Sequence, residues 1–409
     1  MSGDPIHILP VGVPGADVMQ RGHYTFVKFV GKPKAMYLYH AVDVMILLTL
    51  LLTLGEYYLR EHVIMYKPIL CVLELTNRCN LRCPHCASDS GKSRCYEMSR
   101  KELQEVFRNL SELGCNTISM LGGEILLRPD WYEICQDARS AGMDLQLITN
   151  GLLVNDDVRK KFRSLDPQTV CVSLDGATAD TYKKQRGVDG FDKCLSLLQQ
   201  FVSDGFRQVN AITTFSSLNI HEFDDFAKLF IDTEIVWQVQ MVHKAGHRFD
   251  ERLLLNQEAF EFFTERATYY LNEYHGRLKI MTMDDFGYFA ITPKLRFMHQ
   301  IWDGCNAGRR TIGIRSNGDV LGCLSLGDDF IEANLLETPL SEIWNSGKYF
   351  QRFRKKEESL CGTCGKCTFG KKCKAGCTAM AISSTNTIGD NTYCVRRLEE
   401  KRILQELFE

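Results

Sequence analysis

Residues 75–86 read Leu75-Thr76-Asn77-Arg78-Cys79-Asn80-Leu81-Arg82-Cys83-Pro84-His85-Cys86, and they follow the strand-like apolar run that begins at Ile69. The cysteines are spaced C-x3-C-x2-C. Three thiolates on one tight loop can hold three irons of a 4Fe-4S cluster, because cysteine sulfur is the usual ligand for such clusters. The fourth iron is then free to chelate a small molecule and pass it an electron. Taken alone, the same loop with His85 could also build a zinc site.

Outward from this loop the chain alternates strand and helix with short connections, the pattern of a parallel sheet wrapped by helices. Six strands are expected at 69–76, 117–122, 144–149, 169–174, 207–214 and 234–241. Ser99 and Glu102 form a capping box. It opens a helix whose Leu103, Val106, Phe107, Leu110 and Leu113 share one face and which stops at Gly114. A second stripe runs Phe191, Cys194, Leu195, Leu198, Phe201 and Val202 before Gly205. Cys194 therefore reads as core. Six units rather than eight predict an α/β fold with a partial (β/α)6 barrel, open on one side, whose ligands lie at the C-terminal ends of the strands.

The loop resembles the signature of the radical SAM superfamily, and Gly122-Gly123-Glu124 after the second strand resembles that family's second signature. The resemblance covers roughly 69–241. It implies S-adenosyl-L-methionine (SAM) as cofactor beside one catalytic 4Fe-4S cluster, with Gly122, Gly123 and Glu124 meeting the SAM amino group. Paired glycines would let main-chain carbonyls approach an ammonium closely; Ile125 stands where many relatives have proline. Asn150, Ser173 and Asp175 are similar in position to residues that bind the ribose or methionine part of SAM. Arg186 matches an arginine that pairs the SAM carboxylate. The first three could also cap helices or make turns, and Arg186 could be a solvated surface residue.

A second cysteine-rich region runs Cys305-x12-Gly318-x4-Cys323, then Cys364-x2-Cys367-x5-Cys373-x3-Cys377, then Cys394. It resembles the SPASM extension of radical SAM enzymes, which implies two auxiliary 4Fe-4S clusters. By that resemblance Cys305, Cys323 and Cys377 hold the inner cluster, and Cys364, Cys367, Cys373 and Cys394 the outer one. Cys361 is an eighth cysteine, which either completes the inner cluster or leaves it with an open iron. Cys71, Cys95, Cys115, Cys135, Cys171 and Cys194 lack ligand spacing and are expected to be buried small hydrophobes.

At 409 residues, 44% hydrophobic and with a formal net charge of −2, the chain can bury two or three cores and gives no electrostatic reason to bind nucleic acid or an acidic membrane. Met1-Ser2-Gly3-Asp4-Pro5 lacks the opening of a secretory signal, so its 17 cysteines read as cytoplasmic thiols. The run Val44–Leu54 is too short to span a bilayer, which takes about 20 residues. It is expected to be a buried helix. Strands are expected at 23–30 and 35–39 before it.

The expected organisation is a small α+β module at 1–66, a partial barrel at 67–250, a bridge at 251–304 and the SPASM region at 305–409. In the bridge and just before it, Gly246-His247-Arg248 and Met281–Phe286 have no readable role, while Tyr288, Phe289, Phe297 and Trp302 read as packing. The resemblance implies an oxidoreductase that splits SAM to a 5′-deoxyadenosyl radical. That radical takes hydrogen from a ribosomally made precursor peptide, and a thioether or carbon–carbon cross-link forms. The N-terminal module would grip a leader peptide, and an external donor such as flavodoxin or ferredoxin would supply electrons. Alternatives are a side-chain oxidase of a folded protein, a peptide epimerase, a small-molecule dehydrogenase, or a non-enzymatic electron-transfer scaffold. No general base is legible.

Overall fold

A computed structural model describes residues 66–283, 289–292 and 302–408, together with the backbone of four N-terminal strands. The chain divides into two compact units, 1–66 and 67–409. In the first, β1 (His7–Leu9), β2 (Ala16–Arg21), β3 (Tyr24–Phe29) and β4 (Leu38–His40) form an antiparallel sheet in sequence order. β3 and β4 correspond to the two expected strands, with β4 displaced toward His40. β1 and β2 were not anticipated. The apolar run at 44–54 lies outside the described residues, as do Tyr288, Phe297 and residues 284–286.

The second unit is built on β5 (Leu70–Glu74), β6 (Thr117–Leu121), β7 (Asp144–Thr149), β8 (Thr169–Ser173), β9 (Val209–Phe215) and β10 (Val236–Met241). These are the six expected strands, paired in parallel in chain order. The sheet is larger than six. β11 (Lys279–Thr282) adds in parallel beside β10, and β12 (Thr311–Ile314) adds in parallel beside β5. β13 (Asp319–Leu321) and β14 (Ile331–Asn334) continue it antiparallel, so the sheet is open, with β11 and β14 as its edges.

Helices α1 (Arg100–Glu112), α2 (Trp131–Ser140), α3 (Asp156–Leu165), α4 (Ala179–Arg186), α5 (Phe191–Ser203) and α6 (Phe223–Phe230) follow strands of the barrel. Both halves of the α1 capping box form, and Leu103, Val106, Phe107 and Leu110 are buried. That staggered set is the core-facing stripe of a 3.6-residue repeat. β8 and the first five residues of β9 are buried almost throughout, as parallel strands covered on both faces should be. Phe215, Phe223, Phe226 and Trp237 pack edge-on or stacked at centroid separations of 5.0–6.1 Å, and the Trp237 indole N–H donates to Thr213 Oγ1 at 3.0 Å. A buried indole thus keeps its polar partner.

The C-terminal region is fastened to the barrel by a buried polar network. Glu74, at the end of β5, takes a two-point ion pair from Arg94 (2.6 and 2.7 Å) and a hydroxyl bond from Ser316 (2.8 Å). Two-point guanidinium–carboxylate geometry fixes direction as well as distance. Cys71, Cys115, Cys135, Cys171 and Cys194 are buried as expected, but Cys95 is exposed. It lies in the irregular segment ahead of α1. Among the described residues no helix is long and apolar enough to cross a membrane.

Candidate functional site

The loop after β5 is pinned by its own backbone: Gly91 N–H donates to Asn77 O (2.8 Å), Cys79 N–H to Gly91 O (3.3 Å) and Cys86 N–H to Cys83 O (3.3 Å). Donors point at the sulfurs. Leu81 N–H lies 3.3 Å from Cys79 Sγ, an Arg186 guanidinium N–H 3.8 Å from Cys83 Sγ, and the Ser88 hydroxyl 3.7 Å from Cys86 Sγ. Burial pushes the Cys79 thiol up to about 11, and the neighbouring Glu124, Cys83 and Cys86 add to the rise. The three thiols are therefore close enough to feel one another's charge. For Cys86 burial acts upward too, but bonds from Ser90 and Ser88 outweigh it and hold the thiol below its usual value. A thiol that resists ionising alone becomes a ligand when a metal supplies the compensating charge.

Gly122 and Gly123 do meet a close neighbour, but it is this loop rather than open space. A Cβ on Gly122 would lie 2.3 Å from Thr76 O, and one on Gly123 would lie 2.1 Å from Arg78 O. Gly123 N–H and Glu124 N–H donate to those same carbonyls at 2.8 Å. The glycines thus let the second signature zip onto the first, a structural role alongside the expected approach to an ammonium. Gly123→Ala is expected to push the cluster loop away from β6, at a stability cost of about 1–3 kcal/mol. SAM cleavage should fall with it, read as 5′-deoxyadenosine formed under dithionite; unchanged cleavage would refute the close-approach argument.

Glu124 is 1% exposed and burial raises its pKa, against three donors that favour the anion. It accepts from Asn150 N–H (2.8 Å), Thr149 Oγ1 (2.9 Å) and Leu126 N–H (3.3 Å), so it ties the end of β6 to the end of β7. A carboxylate has about four acceptor positions, which leaves one for a ligand donor. The Asn150 amide donates to Asn80 Oδ1 within the cluster loop (2.8 Å). Ser173 closes β8, half-buried.

Asp175 and Arg186 form one unit. The fully buried Asp175 carboxylate lies 2.7 Å from Arg186 Nε and 3.1 Å from His85 Nε2, and accepts Thr214 N–H at 2.8 Å. Arg186 is therefore not a solvated surface residue: its side chain is 12% exposed and its Nε faces Asp175.

Several of the C-terminal cysteines lie near enough to act on one another's charge. Burial raises Cys364, Cys373 and Cys394, the first two to about 12; Cys394 adds to the rise of Cys364 and Cys373, and Cys367 to that of Cys394. Cys305, Cys377, Cys373 and Cys364 all act on the buried Lys356. Cys361 is exposed, its sulfur 3.9 Å from the Thr387 hydroxyl. Among the described residues no three His, Cys, Asp or Glu side chains converge on a point for one metal ion. Trp302 is buried and donates to Cys373 O (3.0 Å), and Phe289 stacks on Phe369 at 5.0 Å, both as packing residues.

Sequence reading assigned no role to the segment after β10. Asp89, in the left-handed region at φ 51°, accepts the backbone N–H groups of His247 and Arg248 (2.9 Å to the latter). This latch helps wall a cleft of about 370 Å³. Its lining joins Ser88 and Asp89 of the cluster loop, Lys244 and His247 after β10, and Arg315 and Asp328 of the C-terminal region.

Comparison with known proteins agrees with this geometry. Residues 73–230 match the family model of the Radical SAM superfamily, and residues 305–368 that of SPASM, an iron-sulfur cluster-binding domain. The AdoMet-dependent heme synthase of Methanosarcina barkeri is 30% identical over 353 residues, 82% of this chain and 98% of that protein. The mycofactocin maturase MftC of Mycobacterium ulcerans is 28% identical over 342 residues, 83% and 91% of the two chains. The crystal structure of Streptococcus suis SuiB bound to precursor peptide SuiA shares the fold at a TM-score of 0.66 and 18% identity, over 83% of this chain and 78% of that one. The three-thiol loop, the glycine-zipped second signature and these matches make the chain a member of the radical SAM superfamily, an enzyme that uses SAM and a 4Fe-4S cluster and carries a C-terminal SPASM domain for auxiliary iron-sulfur clusters.

Proposed function

We propose that this enzyme matures a ribosomally made precursor peptide, removing two hydrogens and closing a thioether or carbon–carbon cross-link. The observation that carries the reading is the cleft shared by the cluster loop, the segment after β10 and the C-terminal region. A side chain entering it would meet residues of the cluster loop on one side and of the C-terminal region on the other. When bound, the catalytic cluster and SAM supply a 5′-deoxyadenosyl radical, and the auxiliary clusters supply an acceptor for the electron released as the new bond closes. Cys79, Cys83 and Cys86 would hold the first cluster. Gly122, Gly123, Glu124, Asn150 and Ser173 would line the SAM side, with Arg186 kept oriented by Asp175. Cys305, Cys323 and Cys377 would serve the inner auxiliary cluster, and Cys364, Cys367, Cys373 and Cys394 the outer one. The exposure of Cys361 favours a thiol outside both sets.

Maturase relatives such as MftC, and a structural neighbour crystallised with its precursor peptide, support a peptide substrate. In this reading the four-stranded unit at 1–66 receives the leader, and a one-electron donor of the flavodoxin or ferredoxin class works with the enzyme in the cytoplasm. The 30% identity to a heme synthase favours, as second reading, a small-molecule substrate. Anaerobic co-expression with a short peptide gene encoded beside this one tests both. A peptide lighter by two hydrogens, and unmodified when Cys79, Cys83 and Cys86 are alanine, is the expected result. An unmodified peptide beside active SAM cleavage would favour the small molecule, and deuterium uptake from heavy water without mass loss would indicate epimerisation.

A further inference from the structure

Lys356 is fully buried, and among the described residues no carboxylate lies within ion-pair distance of its ammonium. The adjacent Glu357 is taken by Lys374 at 2.9 Å. The ammonium's hydrogen bond goes to Gly376 O at 3.0 Å. An ammonium withdrawn from water is strongly disfavoured unless negative charge stands near it. Burial accordingly pushes Lys356 down, and the groups acting against that push are Cys305, Cys377, Cys373 and Cys364. These four belong to both auxiliary sets. The Gly376 carbonyl belongs to the Lys374-Ala375-Gly376 turn, all three residues left-handed at φ 54°, 55° and 63°, which joins Cys373 of the outer set to Cys377 of the inner set.

We propose that Lys356 is a positioning and charge-compensating residue shared by the two auxiliary clusters: it holds the turn that links them and offsets the negative charge of both thiolate sets. This rests on the reading of those cysteines as two cluster sites. A 4Fe-4S cluster bound by three or four thiolates is anionic, and its potential depends on net charge and on its surroundings. Each cluster becomes more negative by one electron when reduced. A fixed cation beside both stabilises the reduced forms, so removing it lowers both midpoint potentials. Lysine suits the position because its compact ammonium reaches one carbonyl while its field acts on either side.

The test is an EPR-monitored redox titration of the reconstituted, full-length holoenzyme, wild type against Lys356→Met and Lys356→Arg, with iron counted on each sample. In Lys356→Met the oxidised-to-reduced ratio of both auxiliary clusters at a fixed poise should rise at least about tenfold, a fall of about 59 mV for a one-electron couple. The catalytic cluster, bound by another part of the chain, should hold its potential, and Lys356→Arg should remain near wild type. Auxiliary potentials unmoved in a fully loaded Lys356→Met would overturn the proposal. Should Lys356→Met lose auxiliary iron, Lys356→Arg decides: normal loading and potentials support the role of the charge, and equal loss overturns it. Failure of the cluster reading itself looks different, since the wild type would then show a catalytic cluster and no auxiliary signals.

Discussion

With Cys83 replaced by alanine, the protein should assemble no stable catalytic cluster and form no 5′-deoxyadenosine above the buffer background, while its auxiliary clusters load normally. In the proposed site each of the three cysteines holds one iron, and His85, the loop's other metal-binding type, is turned to Asp175 at 3.1 Å. Cys83 is the most demanding of the three, being 7% exposed and set against the Arg186 guanidinium. Alanine there leaves that charge facing a void as well as an unligated iron. Iron and sulfide analysis should show the deficit of one cluster per chain, and EPR after dithionite should retain only the auxiliary signals. Cys95→Ala is the internal control, because that thiol is exposed and stands outside every ligand set; it should load and cleave SAM like the wild type. SAM cleavage surviving at wild-type rate in Cys83→Ala would remove the basis for assigning this loop to the catalytic cluster.

The sheet was legible where local pattern and tertiary role agree. β5 to β10 are apolar runs ended by glycine, polar or cluster-loop residues, and they lie within two residues of their expected bounds. β11 and β12 were not legible. Each is four residues long, too short for a period to show, and β12 pairs with β5, some 240 residues away in the chain. The two glycines of the second signature were found by resemblance, yet their structural role lies against the carbonyls of Thr76 and Arg78, which no reading of Gly122-Gly123 alone supplies. Lys356 sits in Arg354-Lys355-Lys356-Glu357-Glu358, a charge run that reads as a solvated face. Only the fold reveals that Lys356, and Arg354 in the same run, are buried. Asp175 and Arg186 were each paired with a ligand in the sequence reading. Their separation by ten residues hides that α4 carries Arg186 back onto the aspartate.

That pair supports the second large prediction. Asp175 joins four segments, since its carboxylate meets His85 of the cluster loop, Arg186 at the end of α4 and Thr214 N–H of β9, while its own backbone extends β8. Asp175→Asn keeps the shape and loses the charge, leaving Arg186 as a largely buried, 12% exposed guanidinium without its compensating charge. Breaking one side of a buried pair in this way costs about 3–5 kcal/mol. The urea midpoint of the variant should fall accordingly, and amide exchange in the Cys79–Ser90 loop should rise, because His85 loses its anchor there. Burial acts to raise the Asp175 pKa, but Arg186 and His85 outweigh it and hold the carboxyl below its usual value. A depressed carboxyl contributes stability that is fully present above its unfolded value, about 3.9, and is lost as the pH falls through the lower folded one. Above about pH 5 the Asp175 carboxyl is ionised in both folded and unfolded chains and itself adds no slope to the deficit of Asp175→Asn. Adding Arg186→Met to Asp175→Asn removes the stranded charge, and the double variant should be more stable than the single one although it is further from the native sequence. SAM cleavage should stay low in both, since neither restores the anchor of His85 or the guanidinium at Cys83. If the two substitutions simply add in stability, Asp175 and Arg186 are not the coupled pair that their 2.7 Å contact indicates.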